Sequence, residues 1–65
     1  MQKTIGEKLI LLRGERTQEE VANSVGIART TLAMYEQDRR IPRDQIKIRL
    51  ASYYRTPIQD IFFDE

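Results

Sequence analysis

Cysteine and histidine are both absent from the 65 residues of this chain, which narrows the chemistry open to it. Without cysteine it can form neither disulfide bonds nor thiolate metal sites, and a reducing compartment is compatible with it. Without histidine it has neither the commonest general base nor the commonest metal ligand, so carboxylates are its main acid or base groups. We therefore expect no enzyme activity, no metal, no cofactor and no small-molecule substrate.

Long apolar segments are absent as well. The longest apolar runs, residues 9–12 and 61–63, are far shorter than a membrane span, and Met1, Gln2 and Lys3 lead into no signal-like segment. A chain of this length is one small domain, near the lower size at which a core alone holds a fold. The sequence predicts a single domain over residues 1–65, soluble and cytoplasmic, without membrane contact and with support from a partner subunit.

Positive charge is concentrated in one part of the chain. The net charge is only +1, but residues 1–38 carry −1, residues 39–55 carry +5 and residues 56–65 carry −3. A single positive block is the pattern that an anion-contacting face leaves in a sequence.

Capping patterns and apolar periodicity predict five short helices around one core. The pattern S/T-x-x-E/Q, which satisfies two free backbone donors at a helix start, begins at Thr4, Thr17 and Thr56, and Pro57 would take the first helical position of the last helix. The predicted helices are Ile5–Arg13, Gln18–Val25, residues 28–36 or 37, Asp44–Tyr54 and residues 57–63. The inward residues are Ile5, Leu9, Leu12, Val21, Ala22, Val25, Leu32, Tyr35, Glu36, Ile46, Leu50, Tyr54, Ile58, Ile61 and Phe62.

Residues 17–36 form the central unit: an amphipathic helix, a turn at Gly26 and a second amphipathic helix. Glycine at this position can adopt the left-handed conformation that a sharp turn requires. This is the helix-turn-helix arrangement, in which the second helix enters the DNA major groove. Periodicity alone would fit many small helical corners.

The individual residues are more specific than the periodicity. They are Ile5-Gly6, Leu9, Leu12-Arg13, Thr17-Gln18-Glu19-Glu20-Val21-Ala22, Val25-Gly26-Ile27, Glu36, Pro42, Leu50-Ala51 and residues 58–62. Together they resemble the phage lambda repressor and Cro-like (XRE-type) family over nearly the whole chain. The resemblance implies an all-α, compact five-helix lambda-repressor-like domain. It also implies a sequence-specific DNA-binding regulator of transcription from a bacterium or phage. Of the two signs of regulation, we favour repression.

The resemblance also implies a role for each site residue. The base-reading positions fall on Ala28, Arg29, Thr30, Ala33 and Met34, and the phosphate-contacting positions on Thr17, Gln18, Gln37, Arg39, Arg40 and Arg43. Arg13 and Glu36 match a structural ion pair between the first and third helices. Arg29 can bond guanine O6 and N7, worth roughly 1–3 kcal/mol of discrimination, or it can contact phosphate without sequence preference. Met34 can contact a base or pack at the helix edge.

Three departures from the family pattern affect the corners. Arg16 stands where an apolar residue is usual, so we expect repacking between the first two helices. Ala28 replaces a Ser-like cap, a change that typically costs ~1 kcal/mol of helix stability. Gln37-Asp38 replaces a frequent Asn-Gly, so the third helix must end on a residue other than glycine.

The resemblance implies a homodimer on two half-sites about one helical turn, ~34 Å, apart. Ile48, Tyr53 and Phe63 are unused by the predicted core and are the candidates for the dimer interface, although Phe63 can equally cover the core. Any switch would come from a protein antagonist, dimer dissociation or dose. The alternative from another class is an antitoxin-like or protein-interaction module using the surface around Ile10 and Leu11.

Overall fold

Five helices form along residues 3–63, the part of the chain that the computed structural model describes, and no strand occurs there. They are α1 (Ile5–Arg13), α2 (Gln18–Val25), α3 (Arg29–Glu36), α4 (Asp44–Tyr54) and α5 (Ile58–Phe62). The predicted all-α class is confirmed. The bounds of α1, α2 and α4 are those predicted, whereas α3 begins one residue later and α5 is one residue shorter at each end.

Threonine caps fix the starts of α1 and α2. Thr4 Oγ1 accepts a hydrogen bond from the Glu7 N–H at 3.1 Å, and Glu7 Oε1 accepts one from the Thr4 N–H at 2.9 Å, which completes a capping box. Thr17 Oγ1 accepts a hydrogen bond from the Glu20 N–H at 3.0 Å. These two predicted starts are confirmed.

The start of α5 is different, and the third predicted capping box is wrong. Pro57 is the N-cap, not the first helical residue, and no side-chain hydrogen bond caps this helix. The Thr56 hydroxyl instead donates to the Tyr54 carbonyl oxygen, at the end of α4, at 3.1 Å. A five-residue helix does not hold itself, so α5 depends on the burial of Ile61 and Phe62.

The five largest fully buried side chains of the shared core come one from each helix: Leu9, Val21, Leu32, Leu50 and Ile61. The other core residues are Ala22, Val25, Tyr35, Ala51, Tyr54 and Phe62. Four residues predicted to face inward, Ile5, Leu12, Ile46 and Ile58, are only half-buried and pack around the edge of this core. The core therefore belongs to all five helices and holds α3 from several sides.

Gly6 allows α1 to lie directly against the end of α3. A Cβ at this position would collide with the carbonyl oxygen of Glu36. The close approach therefore needs glycine, although glycine inside a helix is intrinsically unfavourable. Within residues 3–63, no helix is both long enough and apolar enough to span a membrane.

Candidate nucleic-acid interface

The corner between α2 and α3 is built on Gly26. This residue has φ 85° and ψ 34°, in the left-handed region, and its N–H donates to the Ala22 carbonyl oxygen at 2.8 Å. The Ile27 N–H donates to the same oxygen at 2.9 Å, and the Ile27 side chain packs half-buried against the core. The turn thus fixes the direction in which α3 leaves the body of the protein.

The outward face of α3 is polar at its start and partly covered further along. Ala28, Arg29 and Thr30 are exposed, whereas Ala33 and Met34 are half-buried. Of the five positions that the resemblance assigns to base reading, the last two therefore offer less accessible surface than the first three. Part of each of these side chains is used in packing, so the accessible surface is concentrated at the first turn.

That first turn has no side-chain cap. Ala28 is the N-cap, makes no side-chain hydrogen bond to α3, and no acidic residue occupies the first turn. The free N–H groups and the positive end of the helix dipole are therefore uncompensated beside the exposed Arg29. The start of α3 is an electropositive point, as an anion-contacting helix requires.

The opposite face of α3 is tied to α1 and α2 by one buried carboxylate. Glu36 has a side-chain exposure of 2%, and its Oε2 accepts a hydrogen bond from Arg13 Nε at 2.8 Å. Its Oε1 accepts a hydrogen bond from Gln18 Nε2 at 2.8 Å. Sequence reasoning paired Arg13 with Glu36 but missed Gln18, whose amide it assigned to phosphate. Gln18 is half-buried and keeps one N–H and its Oε1 for another partner.

The connection from α3 to α4 carries three exposed arginines, Arg39, Arg40 and Arg43. Within residues 3–63 none of the three guanidinium groups makes an ion pair with a carboxylate. Pro42 is buried and Ile41 is largely exposed between the arginines, which sequence reasoning did not anticipate. The connection therefore presents free positive charge on either side of an apolar residue.

Comparison with known proteins identifies this arrangement. Residues 8–61 match the family model described as Helix-turn-helix. The chain belongs to the helix-turn-helix family. The resemblance inferred from its individual residues is thereby confirmed, and the matched type is one of DNA-binding transcription regulators, not of enzymes.

A relative extends this comparison. The chain is similar to the cryptic phage CTXphi transcriptional repressor RstR of Vibrio cholerae, with 38% identity over 55 residues, covering 82% of this chain and 50% of the relative. The chain thus spans about half the length of the curated relative. No solved structure matches the chain significantly.

Arg16 explains how this helix-turn-helix protein accommodates its unusual first corner. The Arg16 guanidinium lies 5.2 Å from the centre of the Tyr53 ring and 5.5 Å from that of Tyr54. The two rings meet edge to face with their centres 5.1 Å apart. Two aromatic rings near the end of α4 therefore support the Arg16 cation at this corner.

Two of the three candidate dimer residues line one groove. Ile48, 59% exposed, and the half-buried Tyr53 line the same shallow groove beside the end of α2. Phe63, 52% exposed, lies outside that groove with Lys47 Nζ 4.7 Å from the centre of its ring. Tyr53 also packs against the core, so it is less available than predicted.

No group of carboxylates within residues 3–63 is arranged to hold a metal ion. Three features lie around α3: an N-terminus without a side-chain cap, arginines without an ion-pair partner among the described residues, and an inner face hydrogen-bonded to α1 and α2. Their charge is suited to contacting a polyanion.

Proposed function

We propose that this protein is a sequence-specific DNA-binding repressor that binds a two-fold symmetric operator as a homodimer, with α3 in the major groove. It would act in the bacterial cytoplasm. The observation that carries the proposal is the contrast between the two faces of α3. Its start exposes Arg29 without an acidic partner, while Leu32, Tyr35 and Glu36 fix its other face.

The base-reading surface in this proposal is the first turn of α3. Arg29 is long enough and free enough to make paired hydrogen bonds to guanine, and Thr30 beside it can bond a base or a phosphate. Ala28, Ala33 and Met34 offer small or apolar surfaces suited to thymine methyl groups. Because Ala33 and Met34 are half-buried, we expect them to contribute less discrimination than Arg29.

The phosphate-contacting surface surrounds this first turn. Arg39, Arg40 and Arg43 are exposed and unpaired within the described chain, and Gln37 is exposed beside them. Thr17 and the remaining amide hydrogen of Gln18 lie at the start of α2, where the helix dipole favours an anion. Such contacts hold the register of a reading helix and make affinity fall with salt.

A dimer is the assembly that such a small reader needs. A single module typically buries only about 600–1,000 Å² of its surface on DNA, and relatives of this type pair across two half-sites. Ile48, Tyr53 and Phe63 supply exposed or partly exposed apolar surface, and we propose that the groove beside Ile48 and the ring of Phe63 each contact a second copy.

The proposal is tested by selecting bound sequences from a pool of random duplexes at low and high salt. We expect enrichment of a two-fold symmetric site, and Arg29→Ala should abolish the preference at one position per half-site. Arg55→Asn is the matched control, because it also removes one exposed cation, at the far end of α4, from a left-handed position that asparagine tolerates. Salt-sensitive binding with no enriched sequence would contradict sequence-specific recognition.

A protein-interaction role without DNA is the second candidate, and one observation favours it. Ile10 and Leu11 are 44% and 61% exposed on α1, and Leu11 borders a cleft between α1 and α5. An antitoxin-like module or a protein antagonist of the repressor would use this face. Failure of every duplex to bind would move the assignment to this candidate.

A further inference from the structure

We infer that Asp38 is a positioning residue for DNA binding: its carboxylate latches the connection between α3 and α4 onto the start of α1 and so holds Arg39 and Arg40 in place. The inference rests on the proposed DNA-binding function. It concerns a residue that would ordinarily be read as an exposed acidic group unfavourable for binding to DNA.

The geometry of the latch is specific. Asp38 Oδ1 accepts a hydrogen bond from the Gly6 N–H at 2.8 Å, and Asp38 Oδ2 accepts one from Thr4 Oγ1 at 2.6 Å. Thr4 Oγ1 at the same time accepts a hydrogen bond from the Glu7 N–H, so the latch and the cap of α1 share one hydroxyl. The carboxylate also lies at the N-terminal end of α1, where the helix dipole favours negative charge.

The backbone of Asp38 adopts the left-handed conformation, which residues other than glycine disfavour. Its φ is 60°, and its N–H donates to the Tyr35 carbonyl oxygen at 3.2 Å while the Arg39 N–H donates to that of Met34 at 2.9 Å. These bonds form a Schellman ending, in which the left-handed residue is usually glycine. Aspartate is disfavoured there relative to glycine, and its carboxylate hydrogen bonds to Gly6 and Thr4 offset that disadvantage.

The latch connects the fold to the basic residues that follow directly. Arg39 and Arg40 are exposed and have no carboxylate partner within residues 3–63, so backbone placement is what orients them. Gly6 strengthens the link, because a Cβ there would lie 2.9 Å from Asp38 Oδ2. Because the connection is already fixed to α1, both guanidinium groups can contact phosphates without a further loss of backbone conformational entropy on binding.

If Asp38 is replaced, a purely electrostatic role and a positioning role predict opposite changes in DNA affinity. Removing an exposed negative charge beside the arginines should tighten DNA binding if Asp38 acts only through its charge. If it positions the arginines, Asp38→Gly should weaken binding. The expected loss is about tenfold at low salt, with the slope of log affinity against log salt shallower by about one to two, since each lost phosphate contact removes about 0.9.

The experiment measures the affinity of one duplex for four proteins across a salt series: wild type, Asp38→Gly, Arg39→Ala/Arg40→Ala and the triple variant. We expect Asp38→Gly to add little in the background without the arginines, because its effect passes through them. Unchanged or tighter binding by Asp38→Gly, or fully additive losses, would overturn the inference. Absence of binding by the wild type would instead overturn the proposed function.

Two further measurements distinguish an effect of Asp38→Gly on folding from an effect on the position of the arginines. Glycine relieves the left-handed backbone while the two side-chain hydrogen bonds are lost, so circular dichroism should show Asp38→Gly folded at the assay temperature. Amide relaxation without DNA should show residues 39–43 more mobile than in the wild type while α3 is unchanged. Asp38→Asn, which keeps one acceptor oxygen and tolerates the left-handed region, should restore part of the affinity. Unchanged mobility of residues 39–43 would contradict the latch even if Asp38→Gly were too unstable for binding assays.

Discussion

Glu36 illustrates, at the scale of single residues, how a buried charge can position the second helix of a helix-turn-helix unit. Its two carboxylate oxygens accept hydrogen bonds from Arg13 on α1 and Gln18 on α2, both at 2.8 Å. A buried carboxylate is unfavourable unless it is paired and hydrogen-bonded. The two partners therefore make the position of α3 depend on α1 and α2 together.

Arg13→Ala should leave this carboxylate buried without its cation. We expect the free energy of unfolding to fall by about 3 kcal/mol, in the range found when one partner of a buried pair is removed. Urea unfolding followed by circular dichroism measures it. Arg13→Ala combined with Glu36→Gln should recover part of the loss, because the remaining group is then neutral. Equal stability of Arg13→Ala and the wild type would show that the pair is solvated.

Tyr54 carries a buried hydroxyl with no hydrogen-bond partner among the described residues. Tyr54→Phe should therefore leave stability at pH 7 within about 0.5 kcal/mol of the wild type or raise it, since no bond is lost. A destabilisation of 2 kcal/mol or more would show that the hydroxyl has a partner.

Ionisation of the same hydroxyl should make the stability of the wild type and that of Tyr54→Phe differ at high pH. Burial, aided by the nearby Glu36 carboxylate, raises the pKa of Tyr54 from 10.0 to about 12. Because the folded pKa is the higher one, this contribution to stability is complete below pH 10 and is lost as the pH rises towards 12. The wild type should lose more stability than Tyr54→Phe over that window in parallel urea titrations. Parallel pH profiles would contradict this shift.

Residue roles were predicted well where they are local and less well where they depend on distant partners. The caps at Thr4 and Thr17 lie within four residues of the atoms they bind, so the sequence shows them. The bond from Gln18 to Glu36 spans eighteen positions and leaves no local pattern. The same reason hides the contact of Asp38 with α1.

At the scale of elements, α3 has little local support at its start. Its N-cap is Ala28, and no side chain bonds its first turn, so packing of Leu32 and Tyr35 must hold it. Its start differs by one residue from the prediction. The ends of α5 were uncertain because a five-residue helix has too little periodicity to define them.

Ala28→Ser should strengthen α3 by supplying the missing cap. We expect about 1 kcal/mol of added stability, equivalent to a rise of roughly 4–8 °C in Tm for a domain of this size. Thermal unfolding followed by circular dichroism tests this. Asn23→Ser, at an exposed position inside α2, is the control and should not raise Tm. No rise for Ala28→Ser would imply that the first turn is already satisfied.

Gly6→Ala tests the close contact of α1 with α3. Alanine would favour the helix by up to about 1 kcal/mol, but its Cβ would collide with the backbone of Glu36. We expect the collision to dominate, with a net loss of about 2 kcal/mol in urea unfolding. Ser24→Ala, at an exposed position in α2, should change stability little. A more stable Gly6→Ala would show that the two helices can separate without loss.

For the whole molecule, assembly is the property that the sequence predicted least definitely. Apolar residues unused by the core could be counted, but whether they share a surface depends on how α4 and α5 pack. The structure separates Phe63 from the groove that Ile48 and Tyr53 line. Analytical ultracentrifugation of the wild type should show a dimer, weakened at least tenfold by Phe63→Ala. Leu11→Ala is the matched control on α1; if it alone dissociated the dimer, the interface would lie there.

The composition of the core also bears on how long the protein survives in a cell. Since the five largest fully buried side chains come one from each helix, no helix can detach without exposing part of the core. We therefore expect detachment of any one helix to destabilise the whole fold and to expose the chain to proteases. A loss of 1–2 kcal/mol can change cellular abundance several-fold. Operator occupancy would therefore respond to substitutions that contact no base, through the number of molecules present.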